Sequence, residues 1–279
     1  MNKHYKKIMK MNPWVQCPQI PSVQKLLESI SIVNYVRGEG RATKRLKHLE
    51  NIYREWVRDI VDLQDFKHCY FVNGVTDAIN QWVATETRTW QYLEGDYEYA
   101  NMISGKGNKV KYINSKDVLY ISNPSCATGN FIKLYDLPNP IILDCAYIGS
   151  TVKQEIFVPP TTEQIWFSFS KGWGLVGQRA GLVFTKDPHV SLEPMKKVEG
   201  WNYTSVEVAI AIVENYKIDS IASEYKPVQQ RICKDYNLDP SDCFFIATTT
   251  DEEFLERRRV GNTARLDLSY IMNGERNAQ

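Results

Sequence analysis

Metal-binding patterns are missing from this sequence. Its 279 residues include six cysteines and four histidines, but no two cysteines form a C-x-x-C pair and no histidines cluster beside them. Structural zinc sites need closely spaced cysteine and histidine ligands, so we expect no metal site. The cysteines also show no disulfide framework, and a reducing cytoplasm is therefore the expected compartment.

Long apolar runs and a large net charge are missing as well. No stretch is apolar for the roughly 20 residues that a membrane helix needs, and the first residues lack the apolar segment of a secretion signal. The formal net charge is +1, which provides no bulk field for nucleic acid, and the basic run at residues 3–10 is interpreted as a solvated arm. We therefore expect a soluble protein that binds neither membrane nor nucleic acid.

The pattern of apolar residues indicates a layered α/β protein. The apolar fraction of 43% and the charged fraction of 24% are ordinary for a globular domain. Helical spacing predicts helices at 21–36, 43–63, 75–86, 204–216 and 221–236. Short apolar runs predict strands at 69–73, 89–94, 109–114, 118–123, 140–147, 164–170, 180–185 and 243–249.

Several of these strand candidates are apolar throughout, which is typical of a mainly parallel sheet covered by helices on both faces. The fold class expected is therefore α/β, with a seven-stranded, mainly parallel sheet and a small α+β domain. The expected large domain spans residues 40–195. The expected small domain and amino-terminal arm comprise residues 1–39 and 196–279.

A glycine-rich stretch, FSFSKGWGLVGQRAGLVF at residues 167–184, allows two interpretations. Gly172, Gly174 and Gly177 spell G-x-G-x-x-G, the letters of a dinucleotide cradle. That cradle needs a crossover helix directly after the glycines, yet the next apolar strand begins three residues after Gly177. The stretch instead predicts a reversal between two antiparallel strands, which makes a dinucleotide-dependent oxidoreductase a distant alternative.

The second interpretation concerns Lys171, which follows the apolar strand at 164–170. Ligands of open α/β sheets bind at the carboxyl ends of the strands. Ser168 and Ser170 lie on one side of that strand, and Arg179 begins the next one. A lysine beside hydroxyls and a guanidinium suits an aldehyde that carries a phosphate, bound as a Schiff base.

This segment resembles the Schiff-base segment of class I/II aminotransferases, the pyridoxal-phosphate (PLP) enzymes of fold type I. The family pattern is S-x-S-K followed by G-x-x-G-x-R-x-G. Further similar motifs follow the family's order and are VNGVTDAI (72–79), LEGDYEYAN (93–101), NPSCATGNF (123–131), LDCAYIG (143–149) and ARLDLSY (264–270). The resemblance covers roughly residues 35–270.

The resemblance implies a role for each matching residue. Asp144 would face the pyridine nitrogen of PLP, Tyr147 and Asn123 its phenolic oxygen, and Tyr97 would stack on the ring. The phosphate ligands implied are Ser168, Arg179 and the helix start at Gly74, Val75 and Thr76. Arg265 would bind the substrate carboxylate, with Asn123 beside it. Tyr35 would reach into the site of a partner subunit, so a homodimer with shared active sites is implied.

Some positions depart from the family pattern. Cys126 and Ala127 replace its usual Asn-Pro, Cys145 replaces an acid, and the chain is shorter than is usual in the family. These changes bear on substrate preference. Core packing stays an alternative role for Tyr97, and a surface ion pair with Asp267 or Glu253 stays one for Arg265.

The sequence therefore predicts a PLP-dependent aminotransferase. It would move an amino group between an amino acid and a 2-oxo acid through a Schiff base on Lys171. A PLP-dependent lyase, decarboxylase or cyclase on the same fold stays open, because a fold does not decide which bond breaks. A non-catalytic binding protein on a decayed PLP scaffold is disfavoured by the intact site residues.

Overall fold

A computed structural model describes residues 15–31, 40–113, 116–175 and 177–276, together with Lys7 and Met9. The strands are β1 (His68–Val72), β2 (Trp90–Leu93), β3 (Gly107–Val110), β4 (Val118–Ser122), β5 (Ile141–Cys145), β6 (Thr162–Ser168), β7 (Gly181–Thr185), β8 (Asp239–Pro240), β9 (Ile246–Thr249), β10 (Arg258–Val260) and β11 (Thr263–Asp267). The helices are α1 (Pro21–Glu28), α2 (Arg41–Val57), α3 (Val75–Thr85), α4 (Tyr99–Ser104), α5 (Phe169–Gly172), α6 (Leu192–Lys197), α7 (Tyr203–Asn215), α8 (Ser220–Tyr236) and α9 (Ser269–Arg276), with a 3-10 helix at Glu252–Arg257.

The large sheet has seven strands in the order β1-β7-β6-β5-β4-β2-β3. Strands β2 to β6 run parallel, whereas β7 is antiparallel to both of its neighbours, β6 and β1. Ser168 at the end of β6 pairs with Gly181 at the start of β7. This pairing confirms that the glycine-rich stretch joins two antiparallel strands, and it confirms the predicted α/β fold class.

Apolar side chains cover both faces of this sheet, because consecutive strand residues point to opposite sides. On one face, Tyr53 of α2 packs edge-on against Phe167 and stacks on Phe184. On the other face, Trp82 of α3 packs against Trp166, the residue next to Phe167. The continuous apolar runs of the sequence therefore serve a sheet buried between two helical layers.

A second sheet has four strands in the order β10-β11-β9-β8 and is antiparallel. Helix α7 packs on α2 through a two-pronged bond from Arg45 to Glu207, with distances of 2.7 Å from Nε and 2.5 Å from Nη2. The domain boundaries given above stay a prediction.

Several predicted element bounds are wrong at their ends. The helix expected at 21–36 stops at Glu28, because the Ser29 hydroxyl donates to the Leu26 carbonyl oxygen at 2.6 Å and the chain leaves the helix there. The strand expected at 109–114 is β3, which starts at Gly107 and ends at Val110. The last residues of the strand expected at 164–170 belong to α5.

The parallel strands place the chemically interesting loops at one edge of the large sheet. Ser122 pairs with Asp144, and Cys145 pairs with Phe167, so β4, β5 and β6 end side by side. Among the helices of the described residues, none combines the length and the apolar character that crossing a membrane requires. The described ranges also contain no group of three His, Cys, Asp or Glu side chains placed to hold a metal ion.

Candidate active site

A cleft of about 450 Å³ lies at the carboxyl ends of the parallel strands. Its walls come from the loops after β4, β5 and β6, from the start of α3, and from β10 and β11 of the small sheet. Residues that are far apart in the sequence therefore meet here. Arg265 of β11, for example, contacts Cys126, which is 139 positions earlier.

Lys171 lies in this cleft on the one-turn helix α5, which begins where Ser168 accepts a bond from the Ser170 amide at 3.1 Å. The lysine Nζ donates to the Val15 carbonyl oxygen at 2.5 Å. Burial lowers the pKa of Lys171, because a low-dielectric surrounding disfavours the charged ammonium. A neutral amine is the nucleophilic form, so the surroundings of Lys171 favour attack on a carbonyl group.

Asp144 is buried at the end of β5 and also lines the cleft. Burial raises the pKa of its carboxyl group to about 7, against the effect of two hydrogen bonds that favour the carboxylate. The Tyr120 hydroxyl donates to Oδ2 at 2.7 Å, and the Ala146 amide donates to Oδ1 at 2.9 Å. A carboxylate held in this way is suited to pair with a cation inside the cleft.

A cradle for an anion lies at the amino-terminal end of α3. The first N–H groups of a helix, here Val75 and Thr76, have no partner inside the helix and attract negative charge. Gly74 precedes them with φ +77°, and a Cβ there would lie only 2.8 Å from Nη2 of Arg179. The backbone thus lies close against the guanidinium, and its φ and ψ of +77° and 171° fall in a region essentially restricted to glycine.

Two serines complete this cradle. Ser168 and Ser170 both line the cleft, and the Ser170 hydroxyl is buried with no hydrogen-bond partner among the described residues. Buried polar groups are nearly always hydrogen-bonded in proteins, so an orphaned hydroxyl here fits a ligand that accepts its bond. Hydroxyls, a guanidinium and a helix start are together the donors that a phosphate group requires.

Two tyrosines form further parts of the wall. Tyr97 lines the cleft and stacks on Tyr99, with ring centroids 6.0 Å apart and planes inclined by 24°. Tyr147 is buried beside Lys171 and Arg265 in the same cleft, and burial raises the pKa of its phenol. Its hydroxyl stays protonated at neutral pH and can therefore donate a hydrogen bond.

Arg265 lies at the far wall, 8% exposed, on the small sheet. Its Nη1 donates to the carbonyl oxygen of Cys126 and contacts the Cys126 Sγ at 3.2 Å, while its Nε is buried with no partner. It forms no ion pair with any described residue, so the alternative of a surface ion pair with Asp267 or Glu253 is wrong. A buried guanidinium whose Nε has no partner in the described residues fits a carboxylate ligand in the cleft.

The structure does not bring Asn123 to the cleft. The amide nitrogen of Asn123 donates to the Ile132 carbonyl oxygen at 3.0 Å, and its amide oxygen accepts from the Ile132 amide at 2.9 Å. Cys126 lines the cleft instead. The sequence already showed that this loop differs at the position that faces the cleft, because Cys126 replaces the second asparagine of the family's loop pattern.

The other predicted residues divide as follows. The structure brings together Lys171, Asp144, Tyr147, Ser168, Arg179, Val75, Thr76, Tyr97 and Arg265 as cleft residues, with Gly74 directly against Arg179. Tyr35 lies outside the described residues. Sequence reasoning missed Tyr120, because an aromatic residue in an apolar strand is interpreted as part of the core. It also missed Arg259, because nothing distinguishes it from the two arginines before it.

Comparisons with known proteins bear on the fold. No protein-family model matches the sequence, and no curated protein resembles it significantly. Solved structures do match. An aromatic aminotransferase from Pyrococcus horikoshii has a TM-score of 0.66 and 14% identity, covering 92% of this chain and 90% of that one.

Two further structures show the range of the likeness. A histidinol-phosphate aminotransferase from Sinorhizobium meliloti, solved with pyridoxal-5'-phosphate, has a TM-score of 0.62 and 15% identity over 94% of this chain and 88% of that one. An L-threonine-O-3-phosphate decarboxylase from Porphyromonas gingivalis has a TM-score of 0.61 and 14% identity, covering 94% and 97%. The chain therefore has the fold of class I/II PLP-dependent aminotransferases.

Proposed function

We propose that this protein is a PLP-dependent aminotransferase. The observation that carries the proposal is the convergence of three features in one cleft: the amine of Lys171, the carboxyl group of Asp144, and the anion cradle at Gly74 and Arg179. An aldehyde, a basic ring nitrogen and a phosphate are the three groups of PLP that these features match. The fold likeness to a structure solved with PLP supports the same cofactor.

The residues present fit this cofactor on the structure's own terms. The orphaned Ser170 hydroxyl and the guanidinium of Arg179 would hold the phosphate at the start of α3. Asp144 would face the ring nitrogen, Tyr147 would donate to the phenolic oxygen, and Tyr97 would cover the ring. Lys171 would bind the aldehyde carbon covalently through its neutral amine.

The chain's own groups then divide the work of the reaction. Bound PLP supplies a conjugated ring that withdraws electrons from an amino acid attached to it. Asp144 would hold a proton on the ring side of the cleft, Arg265 would orient the substrate carboxylate, and the Lys171 amine would move a proton as general acid and base. Arg265 binds a carboxylate strongly because two parallel N–H donors match its two oxygens.

The proposal extends to the setting of the reaction. The substrates are an amino acid and a 2-oxo acid, and the enzyme is cytoplasmic. It is a homodimer in which Tyr35 of each chain completes the partner's site. The large domain at 40–195 binds the cofactor, and residues 1–39 and 196–279 form the small domain and the amino-terminal arm.

The experiment that tests this function separates it from other PLP chemistry. The purified protein is loaded with PLP and mixed with single amino acids, and the amine form of the cofactor is measured by chromatography. We expect that form to accumulate stoichiometrically with one or more donors and to disappear when a 2-oxo acid is added.

A second reaction class is tested by the same samples, because one neighbour in fold is a decarboxylase. Release of carbon dioxide or ammonia without accumulation of the amine form would identify a decarboxylase or a lyase. A colourless protein that ignores PLP would contradict both functions.

A further inference from the structure

One buried acid beside the cleft has no role in the proposed reaction. Asp96 is 4% exposed and follows β2 in a tight turn, in which its amide donates to the Leu93 carbonyl oxygen at 3.1 Å. In the large sheet, β4 lies between β2 and β5. Three neighbouring strands therefore carry Asp96, Ser122 and Asp144 at or just after their carboxyl ends.

Three hydrogen-bond donors converge on the carboxyl group of Asp96. Its Oδ1 accepts from the Ser122 hydroxyl at 2.5 Å and from the Tyr97 amide at 2.7 Å, and its Oδ2 accepts from the Ser122 amide at 3.0 Å. Amide N–H groups only donate, and an ionised carboxylate only accepts. These contacts therefore favour the charged form of Asp96.

Ser122 brings Asp96 next to Asp144. Ser122 and Asp144 are partners in neighbouring parallel strands, which lie about 4.8 Å apart, and strand partners point to the same face of a sheet. The Ser122 hydroxyl on that face bonds to Asp96, and Tyr120, two residues earlier on the same face, bonds to Asp144. Two buried carboxyl groups therefore lie on one face of the sheet, on either side of β4.

This arrangement is unfavourable for the folded protein by itself. Burial raises the pKa of Asp96, because a low-dielectric surrounding disfavours the carboxylate. Among the causes that raise the pKa of Asp144 to about 7, burial is the largest and the charge of Asp96 is a further one. A neutral acceptor could satisfy donors at the position of Asp96 at a lower desolvation cost. Hydrogen bonding alone therefore does not account for a second carboxylate here, whereas a cation in the cleft does.

We propose that Asp96 is a positioning residue that acts through Asp144, and that its negative charge helps Asp144 to keep a proton on the ring nitrogen of bound PLP. This inference rests on the proposed function and adds a second carboxylate to it. Two negative charges attract a ring cation more strongly than one does, and a buried surrounding preserves the effect across one strand. Because a protonated ring withdraws electrons better, Asp96 should affect the rate of the reaction more than substrate binding.

Other titratable and charged groups surround the two carboxyl groups. Burial raises the pKa of Tyr120, so this phenol stays neutral between them at neutral pH. The positive charge of Arg265 opposes the effect of burial on Asp96, and that of Lys171 opposes it on Asp144. The groups around the pair are Tyr97 in the same turn, Tyr120 on β4, Cys126 in the loop after β4, Lys171 on α5 and Arg265 on β11.

A titration of the cofactor-free protein tests the coupling of the two carboxyl groups. Aspartates are isotope-labelled at their carboxyl carbons and followed by NMR, and the two signals are assigned by their loss in Asp96→Asn and Asp144→Asn. We expect Asp96→Asn to move the titration midpoint of Asp144 by at least about half a pH unit to lower pH, because a like charge disfavours ionisation. Asp144→Asn should move the midpoint of Asp96 in the same direction, since the coupling is mutual. The exposed Asp136→Asn should move neither.

Ser122→Ala separates the charge of Asp96 from the position of its turn. This variant removes the hydroxyl that bonds to Asp96 at 2.5 Å and leaves the carboxylate in place. We expect the midpoint of Asp144 to move less than about half as far as in Asp96→Asn. Equal movement in the two variants, or none in Asp96→Asn, would overturn the inference. Should Asp96→Asn fail to fold, an unmoved midpoint of Asp96 in Asp144→Asn would overturn it instead.

The PLP-loaded enzyme gives a second readout. NMR of PLP labelled at its ring nitrogen reports whether that nitrogen is protonated. We expect Asp96→Asn to release the ring proton at lower pH than wild type, and to lower kcat with the best amino donor by about tenfold without raising KM. Asp136→Asn should match wild type in both measurements. An unchanged ring-nitrogen signal, or a loss confined to KM, would overturn the inference.

The two proposals fail in distinguishable ways. If the protein binds PLP and transfers amino groups, but Asp144 titrates identically in wild type and Asp96→Asn, the role of Asp96 is wrong and the proposed function stands. If the two carboxyl groups are coupled in the cofactor-free protein but the protein ignores PLP, the proposed function is wrong, and the role of Asp96 in the reaction is wrong with it.

Discussion

The buried carboxyl group of Asp144 serves the proposed function but lowers the stability of the cofactor-free protein at neutral pH. The pKa of its carboxyl group rises from 3.8 to about 7 in the folded protein, because burial favours the neutral form. At a pH below both pKa values the carboxyl group is protonated in the folded and the unfolded protein, and it does not lower the free energy of unfolding. As pH rises from about 4 towards 7, the free energy of unfolding falls, because only the unfolded protein releases the proton easily. A cation beside the carboxylate would remove this cost, and the ring nitrogen of PLP is such a cation.

This predicts how Asp144→Asn behaves without cofactor. The variant keeps the shape but carries no charge, so its free energy of unfolding relative to wild type should rise by about 2 kcal/mol between about pH 5.5 and about pH 8. Urea unfolding of PLP-free protein at both pH values measures it. The exposed Asp136→Asn serves as the control for the loss of one charge.

PLP should reverse the stability difference between Asp144→Asn and wild type. Wild type should gain stability on binding the cofactor, whereas Asp144→Asn should gain less and should not transfer amino groups. A difference between wild type and Asp144→Asn that is the same at both pH values would contradict the buried-carboxylate account.

At the residue scale, most of the residues predicted for the site line the cleft. Asp144 lies near the end of β5, Tyr147 comes just after that strand, and Lys171 comes just after β6. The carboxyl end of a parallel strand is where side chains reach a ligand. Asn123 shows the limit, because whether its amide faces the cleft or Ile132 depends on how the loop returns to the sheet. Tyr120 shows another, since a buried tyrosine in a strand reads as core until its hydroxyl partner is known.

Helix α3 is the element that holds the phosphate in this account. Gly74 before it has φ +77° and ψ 171°, a backbone region that is essentially restricted to glycine, and it also leaves space for Arg179. We expect Gly74→Ala to cost roughly 1–3 kcal/mol of stability and to weaken PLP binding by at least about tenfold.

Gly105→Ala is the matched control for that change. Gly105 has φ +64°, and a Cβ there would meet open space. Its alanine variant should lose about 1–2 kcal/mol of stability but bind PLP within about twofold of wild type. Titration of PLP by absorbance, together with urea unfolding, separates the two effects. Equal PLP affinity in both variants would show that Gly74 acts through stability alone.

Elements were predictable where burial imposes a pattern. The central strands are apolar throughout, and α2 and α3 each repeat an apolar stripe. Two of the four residues of the edge strand β3 are exposed, so its apolar pattern is weak and the predicted bounds were displaced from the observed ones. The six-residue helices α4 and α6 were missed because so few turns carry no recognisable period.

The whole molecule is proposed to function as a homodimer, and complementation tests this. Lys171→Ala and Tyr35→Ala should each be inactive alone. Mixed and reassembled, they should regain activity at about a quarter of the sites, because half of the dimers are mixed and each has one intact site. Light scattering should give twice the mass of one chain. A monomer mass with no recovery on mixing would contradict shared sites.

At this scale the sequence predicted the order of motifs and the antiparallel place of β7, because a short glycine reversal leaves no room for a crossover helix. It could not show how the small sheet sits over the cleft. The contact of Arg265 with Cys126 spans 139 positions, and the pairing of α2 with α7 joins residues 162 apart. Such contacts depend on packing across the molecule.

The central claim is that Lys171 binds PLP covalently, and peptide mapping tests it most directly. PLP-loaded protein is reduced with borohydride, digested and examined by mass spectrometry, beside Lys171→Ala treated in the same way. The account predicts one stoichiometric pyridoxyl adduct on Lys171 and none in the variant. An adduct spread over surface lysines, or equal labelling of the variant, would contradict it.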